Sequence, residues 1–197
     1  MGHVNQGSVI ALAKILEKYN IAWIEDIAPW QNTETFKNVS NSTTIPVCTG
    51  EDIFLAENFK PLLSNHAISV VHPDVLTIGG ALEMKKLGAL CDNYGVAMAI
   101  HMAETPIAFM AAVHIAAAMK NVLAVEFHSV DHPAWFDLVK PAVKIENGFA
   151  TVSEKGGLGI DDINEQVVKK YLHKEYNGFF EDSSEWDNEW SNDREWS

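Results

Sequence analysis

Arginine is almost missing from this sequence: 13 of its 14 basic residues are lysine, and only Arg194 carries a guanidinium. Against 27 acids the formal net charge is -13. A binder of phosphate backbones needs a basic face and arginine forks, so nucleic acid is not an expected partner, and neither is an anionic membrane surface. No apolar stretch approaches the roughly 20 residues that span a bilayer. Cysteine is scarce too. Cys48 and Cys91 form no CxxC pair and no metal-binding pattern, and each sits in an apolar stretch, which predicts reduced core residues. Met1 to Gly7 offers neither the basic region nor the apolar region that directs secretion. These absences predict a cytoplasmic protein. What is present excludes disorder of the whole chain: 47% of the 197 residues are hydrophobic, enough for a core.

Short apolar strands alternate with helical segments. Val9, Leu12, Leu16 and Tyr19 recur at helical spacing, with Lys14 and Lys18 on the other side. Ile21–Ile24 follows as a strand ending in Glu25 and Asp26. The next units read as a polar helix over 33–40 and a strand Ile45–Cys48 before Glu51, then a helix over 55–63 and a strand Ile68–Val71 before His72-Pro73-Asp74. A helix over 81–93 leads to Val96–Ile100 and His101, and an apolar helix over 107–119 leads to Val122–Val125 and Glu126. Apolar runs of this kind predict strands buried on both faces of a parallel sheet. From Glu25 the strand ends advance by 26, 23, 27 and 25 residues, the length of one strand, one helix and two loops.

This predicts an α/β fold, a partial (β/α) barrel of the TIM type with about five of eight strands, in which C-terminal strand ends line the active-site mouth. A doubly wound open sheet competes, but it calls for a glycine-rich phosphate loop, and Gly79-Gly80 and Gly156-Gly157 are too short for one. The catalytic unit is expected over 1–145. Residues 146–197 form a C-terminal segment with a hairpin about Asn147-Gly148, a helix over 163–172, and an acidic tail from Glu181 that holds Trp186, Trp190 and Trp196. Three tryptophans in such a tail predict docking onto another surface.

Glu25, Glu51, Asp74, His101 and Glu126 fall at one phase of the repeat, and a barrel would converge them. Converging carboxylates repel unless a cation sits among them, and oxygen ligands favour a hard ion such as Mg2+. Zinc hydrolase chemistry is disfavoured, since His72, His101, His114 and His128 share no strand-end phase. Asp74 and His101 end neighbouring strands and can pair as a proton-transfer dyad, with no serine or cysteine nucleophile beside them.

The run Trp23-Ile24-Glu25-Asp26, Thr49-Gly50-Glu51-Asp52, His72-Pro73-Asp74 with Ile78-Gly79-Gly80, Ala99-Ile100-His101 and then Glu126 resembles the enolase superfamily. Within it the chain resembles the mandelate racemase/muconate lactonizing branch, above all its acid-sugar dehydratases. The resemblance implies a Mg2+ ion that binds a substrate carboxylate, a base that removes the adjacent proton, and an enediolate stabilised by the metal. It implies Glu25 and Glu51 as the second and third metal ligands and His101 with Asp74 as the acid/base. Glu126 becomes a group that hydrogen-bonds the substrate. His3 resembles a histidine of one dehydratase subgroup and is expected at the substrate.

The pattern also departs from that family. The first metal ligand, an aspartate about 26 residues before the second, would fall just upstream of Met1. A lysine-bearing strand and the N-terminal capping domain would lie further upstream. The expectation is an N-terminally truncated chain, completed by a missing segment or assembled as a homo-oligomer, whose partner is a small sugar acid. Racemase, epimerase or cycloisomerase chemistry is the alternative, as is a non-catalytic remnant that acts only through a partner.

Overall fold

The computed structural model of the chain describes residues 5–128 and 132–172. His3 and the acidic tail from Glu181 lie outside the described residues. Five parallel strands form one sheet in chain order: β1 (Ile24–Glu25), β2 (Val47–Thr49), β3 (Val70–Val71), β4 (Ala97–Ile100) and β5 (Val122–Val125). Between them lie α2 (Thr33–Ser40), α3 (Lys60–Ser64), α4 (Ala81–Tyr94) and α5 (Pro106–Ala117), and α1 (Gln6–Leu16) precedes β1. This is the α/β architecture expected of part of a barrel.

Local chemistry marks the helix ends. Asn5 caps α1 by accepting from Ser8 N, and Thr105 caps α5 by accepting from Ala108 N, with Pro106 in the first turn where its missing N–H costs nothing. Gly95 ends α4 in the left-handed conformation at φ 68°. The segment expected as one helix over 55–63 opens instead as a 3-10 turn (Ala56–Phe59) and becomes α-helical at Lys60, just before Pro61.

The main core lies between the sheet and its helices. Val47, Val71, Met98 and Ile100 point out of the sheet onto Phe36, Leu62, Met84 and Leu87. Cys48, Val70 and Ala99 point to the other face and pack with Trp23. A second cluster joins Met102, Phe109 and Met110 to Trp135, Val139 and Val143. The hairpin of β7 (Ile145–Glu146) and β8 (Phe149–Ala150) turns at Asn147 and Gly148, both at positive φ, as its Asn-Gly dipeptide requires. β6 (Val139–Lys140), whose Val139 belongs to the second cluster, pairs antiparallel with β9 (Asp162–Ile163), which precedes α6 (Glu165–Tyr171).

Two expectations about burial fail. In α1 only Val9 and Ala13 are buried, while Leu12 and, just beyond the helix, Tyr19 are exposed; among the described residues α1 packs chiefly against α2. In β5 Leu123 and Ala124 are exposed; among the described residues β5 is the last strand of the sheet and pairs on one side. Among the described residues no helix is long and apolar enough to cross a membrane.

Candidate functional site

Every strand of the sheet delivers at least one ionisable group to its C-terminal end. His101 lies at the centre. Its backbone forms a parallel bridge with Asp74 just beyond β3 and β4, and its Nδ1 lies 2.9 Å from Asp74 Oδ2. The other carboxylate oxygen of Asp74 accepts from the amides of Leu76 and Thr77 at 2.7 and 3.1 Å. With Nδ1 held from behind, Nε2 faces Glu51 Oε2 at 3.4 Å and Glu126 Oε2 at 3.8 Å. The Asp74 hydrogen bond, opposed by burial and helped by the charges of Glu126 and Glu51, raises the His101 imidazole to about 9. Burial pushes the Asp74 carboxyl up, but His101 and the two amides outweigh it and hold Asp74 below the usual range. Glu104, three residues past His101, also reaches Asp74. Burial first, and then the charge of Asp74, raises the Glu104 carboxyl above its ordinary range.

A second imidazole sits beside the first. His72 Nδ1 lies 2.7 Å from Glu25 Oε1, and its Nε2 lies 3.6 Å from Glu126 Oε2. The His72 and His101 rings meet edge to face at 5.3 Å. Trp23 Nε1 donates to the other oxygen of Glu25 at 2.8 Å. Burial raises the Glu25 carboxyl, but these two donors prevail and keep it ionised below its ordinary range.

Glu25, Asp26 and Glu51 bring one oxygen each to within 4.8 Å of one another. Burial raises both Asp26 and Glu51, and neighbouring carboxylates raise them further. Oxygen donors crowded against their own repulsion fit a hard divalent cation. The structure thus unites Glu25, Glu51, Asp74, His101 and Glu126 at one end of the sheet, as their common phase predicts. His3 lies outside the described residues.

Sequence reasoning missed four neighbours. Strand alternation turns Asp26 away from Glu25, but Asp26 takes a left-handed backbone at φ 48° and its carboxylate returns to the site, where Thr49 Oγ1 donates to it at 2.7 Å. His72, read as out of phase, stands two residues before Asp74, and the two-residue period of extended chain carried the signal that it shares that face. Cys48 is buried beside Glu25 and His72 rather than in the helix-packed core. Burial, reinforced by the charges of Glu25 and Asp26, pushes its thiol far up. Glu104 lies in the loop before α5, and its position follows from no repeat.

Known proteins resemble this chain in sequence and in fold. The chain is 38% identical over 154 residues to the D-xylonate dehydratase of Haloferax volcanii, an alignment that covers 78% of this chain and 37% of that protein. It is 30% identical over 175 residues to the D-galactonate dehydratase of Cronobacter sakazakii, covering 86% and 46%. The crystal structure of a mandelate racemase/muconate lactonizing enzyme-like protein from Rubrobacter xylanophilus superposes with a TM-score of 0.83 at 30% identity, over 88% of this chain and 44% of that one. The chain thus spans about two-fifths of the length of the curated relatives it matches. The match to the family described as Enolase C-terminal domain-like runs over residues 1–167, through all five strand ends and the dyad they carry, and the chain belongs to that family.

Proposed function

We propose that this chain carries the acid/base and metal-binding part of a magnesium-dependent sugar-acid dehydratase. The observation that carries the reading is the Asp74–His101 pair, its free nitrogen aimed at Glu51 and Glu126. Two relatives named for dehydration of D-xylonate and D-galactonate support it.

Glu25 and Glu51, with Asp26 beside them, are the residues that would hold magnesium. The ion supplies electrostatic stabilisation of negative charge on a substrate carboxylate as the neighbouring C–H bond breaks. Asp74 fixes the ring of His101 and leaves the proton on Nε2 as the one available to substrate. His101 Nε2–H gives that proton to the departing β-hydroxyl, which leaves as water with the C–O bonding pair. The proton lost from the α-carbon returns to His101 Nε2, so the imidazole ends in the form in which it began, and the enol left by the loss of water tautomerises to a 2-keto-3-deoxy acid. Glu126, held by the amide of Met102 at 3.2 Å, hydrogen-bonds the substrate beside the ring.

The test is a panel of aldonic and aldaric acids, D-xylonate and D-galactonate included, incubated with the protein and Mg2+ and assayed for 2-keto product. The expected result is product with at least one acid and loss of at least about a hundredfold in rate with His101→Asn. Equal turnover by His101→Asn would remove the acid role. Exchange of the α-hydrogen for solvent deuterium without loss of water would replace dehydration by racemase or epimerase chemistry.

A further inference from the structure

We propose that Cys48, His72 and Glu25 form a second metal site, selective for a thiophilic divalent cation of the zinc type, which shares Glu25 with the carboxylate site. One ligand atom from each of the three residues lies within 4.8 Å of the other two. Tetrahedral zinc with sulfur, nitrogen and oxygen ligands spaces its donors by about 3.3–3.8 Å, so the wider pairs must close by up to about 1.5 Å, while His72 Nδ1 and Glu25 Oε1, 2.7 Å apart, must open slightly to admit the ion.

The three ligands come from successive strands. Glu25 is the register partner of Cys48, and Cys48 is the register partner of Val70, two residues before His72. They are therefore placed by the sheet rather than by mobile loops. The floor is dry: Cys48 is 0% exposed and His72 is 5% exposed. Glu25 keeps 29% of its side chain accessible, which leaves an entry from the strand ends.

The surroundings are those of a ligating shell. Trp23 Nε1 holds the second oxygen of Glu25. If His72 ligates through Nδ1, its ring proton sits on Nε2, facing Glu126 Oε2 at 3.6 Å, so Glu126 orients the imidazole from behind. When sulfur takes the cation, the thiol proton is released to solvent and a metal–thiolate bond forms. A soft sulfur, an imidazole and one carboxylate select a zinc-like ion, whereas the all-oxygen group Glu25, Asp26 and Glu51 selects a hard one. With its second oxygen held by Trp23, Glu25 offers one oxygen, so the two ions compete for it. That competition rests on the magnesium reading above; the thiolate site does not.

Titration of the full chain with Co2+ alone tests the site. The expected result is a thiolate-to-cobalt charge-transfer band in the near ultraviolet with tetrahedral d–d bands in the visible, saturating at one equivalent and abolished by Zn2+. Cys48→Ser, close in volume to the parent, should lose the charge-transfer band, and His72→Gln should lose about tenfold or more in cobalt affinity. Cys91→Ala, which removes the other thiol, should keep the full spectrum. No charge-transfer band in the parent, or a band that survives Cys48→Ser, would overturn the site. Excess Mg2+ should weaken the apparent cobalt affinity by about tenfold or more. Cobalt bands indifferent to Mg2+ would overturn the sharing of Glu25 and count against the magnesium reading.

Discussion

Asp74 and His101 meet twice: their backbones form a parallel bridge where β3 and β4 run out, and their side chains join, Oδ2 to Nδ1, at 2.9 Å. A pair fixed through both backbone and side chain has little orientational freedom left. The one ring nitrogen it leaves open faces the other acids of the site.

That pair makes stability depend on pH in a defined direction. The imidazole titrates at about 9 in the folded chain and near 6.5 in an unfolded one. A group raised in this way contributes its full stabilisation below about pH 6.5 and loses it as pH rises through about 9. Thermal melts in a metal chelator should fall over that window by an amount on the order of a few kcal/mol. In Asp74→Asn, which keeps an oxygen for the Leu76 and Thr77 amides, the His101 titration followed by NMR should move down toward the ordinary imidazole range. An unmoved titration would contradict the assigned cause.

Gly50→Ala should destabilise the chain by about 1–3 kcal/mol. A Cβ at position 50 would lie 2.8 Å from the carbonyl carbon and 2.9 Å from the amide nitrogen of His72, which are backbone atoms and cannot swing aside. Urea unfolding measures the cost. Because the displaced residue is His72, NMR should also show its ring resonances altered. A neutral substitution would show that β3 gives way freely.

Glu51→Gln should weaken Mn2+ binding by about tenfold or more, measured by calorimetry or by the loss of the free-ion electron spin resonance signal. The amide removes one charge from three crowded oxygens and leaves the shape of the site nearly unchanged. Equal Mn2+ binding by parent and variant would remove Glu51 from the ligand set.

Self-association should run through the free sheet edges. Among the described residues β1 and β5 each pair on one side only, and Leu123 in β5 is 60% exposed. Unpaired strand edges recruit other strands. Sedimentation velocity should show a concentration-dependent mass for the parent and a smaller one for Leu123→Lys. A parent monomeric at all concentrations would contradict this.

The repeat of apolar strand, helix and terminal acid was legible because it is local. Hydrophobic periodicity names strands and helices, and strands joined by helices must run parallel. Once the strands are parallel, residues of one phase share one end of the sheet, and so Glu25, Glu51, Asp74, His101 and Glu126 were legible together. The same local reading misjudged β5 and α1, because burial depends on what packs from outside the segment. Leu123 is exposed because, among the described residues, no strand lies beyond β5, and nothing in its own segment announces that.

Other features were decided only in three dimensions. Asp26 belongs to the site because its backbone turns left-handed and Thr49 holds it there, against the alternation that its position implies. Cys48 looked like core, and it is buried, but on the face that also carries Glu25 and His72. Which face a buried strand residue takes is set by register, and register is fixed by hydrogen bonds between strands far apart in sequence. Composition and period determined the sheet and the acids at its end. Only the folded chain decided which imidazole nitrogen faces which carboxylate, because distances of 2.7 to 3.8 Å depend on side chains from five different strand ends meeting at once.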